Sequence, residues 1–228
     1  MEPDVKVSDV QPNDPTVRTI NGTEFIHYGN ALIDRTSCGV MVSNSGVAYA
    51  VILGKIFYTW REDKFHYEIL SEVTAPTWEK MLTFLSHRVV TWHLDGHIYG
   101  AMNDAEKVFL QAFNSMQRGK KLNTVDIYLP ANTFEDGTHI AYYLMMLRQE
   151  METGTITFPD NSRIKVELAN MSEDAIYKDD CRDHPLIAAI GFALEHGKGL
   201  GSMNKKFQKV IGRTTGKYVD VSNFKRRR

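Results

Sequence analysis

Between Val17 and Leu70 the chain alternates short β-branched and aromatic runs with turn-forming residues, a pattern that predicts strands. The runs are Val17–Ile20, Glu24–Tyr28, Cys38–Ser43, Val47–Leu53, Ile56–Trp60 and Phe65–Leu70. Asn21-Gly22, Asn44-Ser45-Gly46, Gly54-Lys55 and Glu62-Asp63 read as the turns between most of them. Asn21-Gly22 is the strongest, because both residues tolerate the positive φ of a tight hairpin.

From Pro76 the period lengthens. Trp78, Met81, Leu82 and Leu85 predict a helix over Pro76–Arg88, with proline suitably placed in its first turn. Val89–Leu94 predicts a strand. Asn103–Arg118 predicts a helix whose apolar face holds Val108, Phe109, Ala112, Phe113 and Met116, stopped at Gly119. Thr124–Leu129 reads as a strand ended by Pro130, and Glu135–Glu152 as a long helix closed by Gly154. Thr155–Phe158 and Arg163–Leu168 predict a hairpin around Pro159-Asp160-Asn161-Ser162. Pro185–Glu195 predicts an apolar helix closed by Gly197, and Ser202–Ile211 a short basic one. Strands come first and mixed helices and strands follow. The expected class is therefore α+β, a β-rich N-terminal half followed by mixed elements and a basic C-terminal extension.

Three stretches differ in composition. Residues 1–16 hold Pro3, Pro12, Pro15, Asp4, Asp9 and Asp14 and predict an extended arm. Residues 17–197 form the globular body, and 198–228 the basic region. With 228 residues, 43% hydrophobic and 24% charged, the chain is not mainly disordered, collagenous or coiled coil. It is long enough to fold without a metal or disulfide staple. Two cysteines, Cys38 and Cys181, predict a reduced protein. The acidic Met1-Glu2-Pro3-Asp4 start does not resemble a secretory leader, and no apolar run approaches the ~20 residues of a spanning helix. The expectation is a soluble chain in the cytoplasm, or in a virion if it is viral. The sequons at Asn21 and Asn170 then read as chance.

Charge changes the picture most. Lys198, Lys205, Lys206, Lys209, Arg213, Lys217, Lys225, Arg226, Arg227 and Arg228 face only Asp220, so residues 198–228 carry a net +9. Residues 1–197 hold seventeen basic and twenty-seven acidic groups, a net −10. Such a split predicts contact with nucleic acid, or with an acidic protein surface in a self-assembling or multi-subunit particle. Gly197-Lys198-Gly199-Leu200-Gly201-Ser202 offers backbone N–H groups and a helix N-terminus to an anion, with Phe207, Tyr218 and Phe224 available to stack on bases. The same residues also fit a glycine-rich helix end. Gly212–Lys217 is one residue short of a phosphate-binding loop and is followed by Tyr218, where a metal-binding hydroxyl is required.

Two clusters point to chemistry. His93, Asp95 and His97 converge on a metal only if the chain turns at Gly96, since i and i+4 on a strand lie ~13 Å apart. Asp179-Asp180-Cys181-Arg182-Asp183-His184 gathers carboxylates, a thiol and an imidazole ahead of a helix, which suits a cation or simply a cap. Glu68, Glu72 and Glu79 read as a solvated face. No hydrolase, kinase or deaminase signature is present, and no cofactor or metal is assigned. The leading expectation is a non-enzymatic nucleic-acid-associated or assembly protein. The alternative is a metal-dependent hydrolase acting on nucleic acid or nucleotides.

Overall fold

A computed structural model describes residues 5–9, 16–20, 23–28, 31–57, 65–94, 96–130, 140–172 and 174–199. The predicted turns at Asn21-Gly22 and Glu62-Asp63, the end of the Ile56–Trp60 run, residues 135–139 and the Ser202–Ile211 helix lie outside them.

The described strands are β1 (Lys6–Asp9), β2 (Thr16–Ile20), β3 (Thr23–Tyr28), β4 (Ala31–Val42), β5 (Ala48–Phe57), β6 (Phe65–Ala75), β7 (Ile98–Gly100), β8 (Ile127–Tyr128) and β9 (Ile156–Thr157). The helices are α1 (Trp78–Thr91), α2 (Asp104–Gly119), α3 (Ile140–Glu152), α4 (Arg163–Asn170), α5 (Ala175–Lys178) and α6 (Pro185–Gly199). The fold is α+β, a β-rich N-terminal half followed by helices and short strands. All nine described strands join one mixed sheet. Antiparallel β4, β5 and β6 form its centre. Two parallel strands extend it, β7 on β4 and β8 on β7, reached through α1 and α2.

The outer edge of β4 is shared. It pairs with β3 through Ile33 and with β7 only from Cys38 onward. Arg35 therefore sits where one neighbour has ended and the next has not begun.

Helices cover both faces. Alternation along β5 sends Ala48, Ala50 and Ile52 to a core under α1 and α2, and Val51 and Leu53 to a second core under α3, α4 and α6. Strands buried on both faces read as near-continuous apolar runs, which is why Val47–Leu53 shows no polar alternation. The helix α6 is apolar on nearly every side from Leu186 to Leu194, and a helix of that kind must be buried all round. Its small residues let it lie directly on the sheet. A Cβ on Gly39 of β4 would stand 1.8 Å from the carbonyl oxygen of Ala189, and one on Gly191 would stand 2.5 Å from the Tyr143 ring of α3.

Five expectations are corrected. Gly54-Lys55 is not a turn but the interior of β5, paired across to Thr36 and Arg35. Val89–Thr91 continue α1 rather than starting a strand, because the chain needs that extra turn before burying Trp92 and Leu94. Arg163–Leu168 is helix, not the return of a hairpin. The Glu72 carboxylate accepts the Arg163 backbone N–H and the Ser162 hydroxyl, capping α4 from a neighbouring strand. The same contacts bury Glu72 at 1% exposure, so it is no part of a solvated face. Finally, α2 is rotated from its expected face: Phe113 is buried, whereas Val108 and Met116 are 65% and 55% exposed. Polar anchors decide the rotation. Asn114 exchanges two hydrogen bonds with the Val125 backbone, and Glu106 closes a capping box with Asn103 while pairing with Arg182.

The Gly39 contact makes a direct prediction. Gly39→Ala should lower the unfolding free energy by about 3 kcal/mol, since the methyl group meets backbone that cannot step aside. Gly119→Ala, where nothing lies within 4 Å, should leave stability unchanged or slightly raised. Urea unfolding of both variants checks this, and equal midpoints would contradict it.

Candidate functional site

Register places a cluster of basic and aromatic side chains where α6 ends. Arg35 on β4 stands directly opposite Lys55 on β5, and Lys55 opposite Tyr67 on β6. Two cations facing each other across strands repel. Lys55 is only 4% exposed, yet its ammonium donates to the Gly197 carbonyl at 3.1 Å. A cation at a helix C-terminus is favoured by the exposed carbonyls there. The Tyr67 ring lies below the same ammonium, 5.9 Å away. Burial raises the pKa of the Tyr67 hydroxyl, with the Glu150 carboxylate adding to the effect.

Beside this row, His97 leads into β7, and its carbonyl accepts from the Cys38 N–H. Its ring lies 5.3 Å from that of His196 on α6. His196 in turn stacks on Tyr99 of β7, with centroids 4.1 Å apart and planes inclined by 22°. Tyr99 pairs in register with Tyr128 of β8, their rings 5.8 Å apart. Tyr128 is 46% exposed at the end of this ladder. Because Ile98 and Ile127 face the α1–α2 core, both tyrosines face the α6 side.

Two buried polar atoms of the cluster, Arg35 Nε and His196 Nε2, have no hydrogen-bond partner among the described residues. Burial, then the charges of His97 and Arg35, hold His196 down at about pKa 4 from its ordinary 6.5. Burial, Tyr128 and Glu195 raise the pKa of the Tyr99 hydroxyl.

The clusters expected from sequence are placed differently. His93 is exposed in a left-handed turn after α1, with φ at 51°, while His97 turns inward to His196. Asp95 lies outside the described residues. The expected turn at Gly96 exists, with φ at 71°, but His97 meets an imidazole 99 positions away. In the Asp179–His184 segment every charged side chain is already engaged within the protein. Asp179 holds His184 at 2.8 Å, Asp180 accepts from the Arg182 N–H, and Asp183 accepts from the Asp180 N–H and from Asn44. Arg182 forms a two-pronged pair with Glu106, at 2.8 and 3.0 Å. Cys181 and Cys38 are free thiols, fully buried, and burial raises the pKa of Cys38. Among the described residues no group of three His, Cys, Asp or Glu side chains could hold a metal ion.

Of the ten basic residues expected to bind nucleic acid, Lys198 falls in the last turn of α6, which runs through Gly197 to Gly199. Lys205, Lys206, Lys209, Arg213, Lys217 and the run 225–228 lie outside the described residues. Arg35, Lys55, Tyr99, Tyr128 and His196 were not legible as a site, because five separate elements bring them together. The one local trace is Lys55, a charge inside an otherwise apolar run.

The depressed His196 pKa links stability to pH. Between about 6.5 and 4 the unfolded chain binds a proton that the folded chain refuses, so this residue's contribution is complete above pH 6.5 and is lost as pH falls. Wild type should lose more stability from pH 7 to pH 5 than His196→Gln, read as the shift in urea midpoint. Equal shifts would contradict the assignment.

Among the described residues no helix is long and apolar enough to cross a membrane. Compared with protein families and with curated proteins, the chain matches none. Among solved structures it is similar to the human cytomegalovirus terminase nuclease domain, Mn soaked. That likeness has 11% identity and a TM-score of 0.39, covering 73% of this chain and 83% of the other. A similarity of that size carries no argument about activity.

Proposed function

We propose that this chain associates with nucleic acid, its basic C-terminal region contacting phosphates beside the basic and aromatic cluster at the end of α6. One observation carries the reading. Residues 1–197 carry a net −10, yet Arg35, Lys55, His97 and His196 gather at the end of α6, and residues 198–228 carry +9. Cations on the backbone path and aromatic rings for bases are the two ingredients of single-strand binding. No comparable observation favours the hydrolase alternative. A basic region docking on an acidic subunit is the competing outcome, since the body itself supplies negative charge.

The test is binding of the full chain and of a form ending at Gly199 to single- and double-stranded DNA and RNA over a salt series. Log affinity should fall by ~0.7 per phosphate contact for single strands as log salt rises, and removal of residues 200–228 should weaken binding at least tenfold. No binding by the full chain at ~50 mM salt would sink the proposal, because phosphate contacts are strong there. A defined oligomer would then support the docking outcome.

A further inference from the structure

Resting on that reading, we infer that the folded body itself holds one nucleotide of a single strand, its phosphate against Arg35 and His196 and its base on Tyr128. Three independent features of the structure point there.

The first is electrostatic. Arg35 faces Lys55 across the sheet with His97 and His196 close by, in a body otherwise rich in carboxylates. Lys55 is neutralised in place by the end of α6. Arg35 sits at the break between β3 and β7.

The second is hydrogen bonding. Arg35 Nε is a donor that cannot be deprotonated, and it is buried without a partner among the described residues. His196 Nε2 is buried and unpartnered as well. Buried donors without acceptors are uncommon in folded proteins and mark a place where an acceptor belongs. A phosphate oxygen accepts from Arg35 Nε and from His196 Nε2 in the tautomer that carries its proton there, and its charge complements the Arg35 guanidinium.

The third is shape. The His196–Tyr99–Tyr128 ladder runs outward from the anion position to the sheet edge and ends on a half-exposed ring. An open groove of about 510 Å³ between β8 and α2, lined by Arg118 and Asp126, reaches Tyr128 from the other face of the sheet, so the ring is accessible at that edge. A base stacked on Tyr128 would extend the ladder at its exposed end. Stacking of this kind needs an unpaired base, so the ligand is a single strand and not a duplex.

The experiment uses the full chain and two probes. Binding of a labelled short single-stranded oligonucleotide is measured for wild type, Tyr128→Ala and Arg35→Gln, with thermal unfolding run on each to confirm folding. Each variant should bind about tenfold more weakly, and wild type should prefer the single strand to a duplex of equal length. Inorganic phosphate, against chloride at equal ionic strength, should shift the His196 ring resonances and raise its titration midpoint. Variants that fold and bind like wild type, while loss of residues 200–228 abolishes binding, would overturn this site and leave the proposed function standing. Duplex preference, or a His196 resonance indifferent to phosphate, would also overturn it. Absence of any binding by the full chain would overturn both.

Discussion

The packing of α6 on β4 at Gly39 is the contact from which the rest follows. With no side chain at Gly39, the Ala189 and Ala193 backbone can lie directly on the strand. Dispersion energy depends on such close approach, and interiors are packed too tightly for a methyl group to be absorbed. On its far side α6 takes the Tyr143 ring against Gly191. The helix is held from both sides and at both ends. Glu167 of α4 accepts the Ile187 N–H in its first turn, and Lys55 donates to the Gly197 carbonyl in its last. Where α6 stops, and what stands there, is thereby set to within a side chain's length.

Carboxylates recur as helix caps, two of them reaching in from another element. Glu72 caps α4, Glu167 caps α6, and Glu106 completes the α2 cap while pairing with Arg182. Each places negative charge at a helix N-terminus, where unpaired N–H groups favour it. Burial raises the Glu167 pKa, and the backbone N–H groups of α6 oppose the rise. An acidic body thus uses several of its buried acids to join its layers. The Asp179–His184 segment belongs to the same pattern, as the turn that delivers Arg182 to Glu106 and Asp183 to Asn44.

Much of the fold was legible because its signals are local. The α+β order, the start of α6 at Pro185, the α2 boundaries and the Cys38–Val42 and Ala48–Leu53 stretches of β4 and β5 follow from periodicity and from breakers within a few residues. Several of the errors share one cause, contacts made across long stretches of sequence. Nothing near Arg163 announces that Glu72, 91 positions away, will cap a helix there. The apolar stripe of α2 is a correct reading of its sequence, yet Asn114 and Glu106 turn a different face inward. The candidate site was illegible for the same reason. His97 was singled out for its neighbours His93 and Asp95, but its partner came from α6.

Burial of α6 brings His196 to Tyr99 and His97, its last carbonyls hold Lys55, and the basic region leaves from there. Cross-linking of the full chain to a single-stranded oligonucleotide by ultraviolet light, with the adducts mapped by mass spectrometry, tests this most directly. The account predicts adducts in the peptides bearing Tyr99, Tyr128 or His196 together with residues 200–228. Adducts confined to the α1–α2 face, with none at the end of α6, would contradict it.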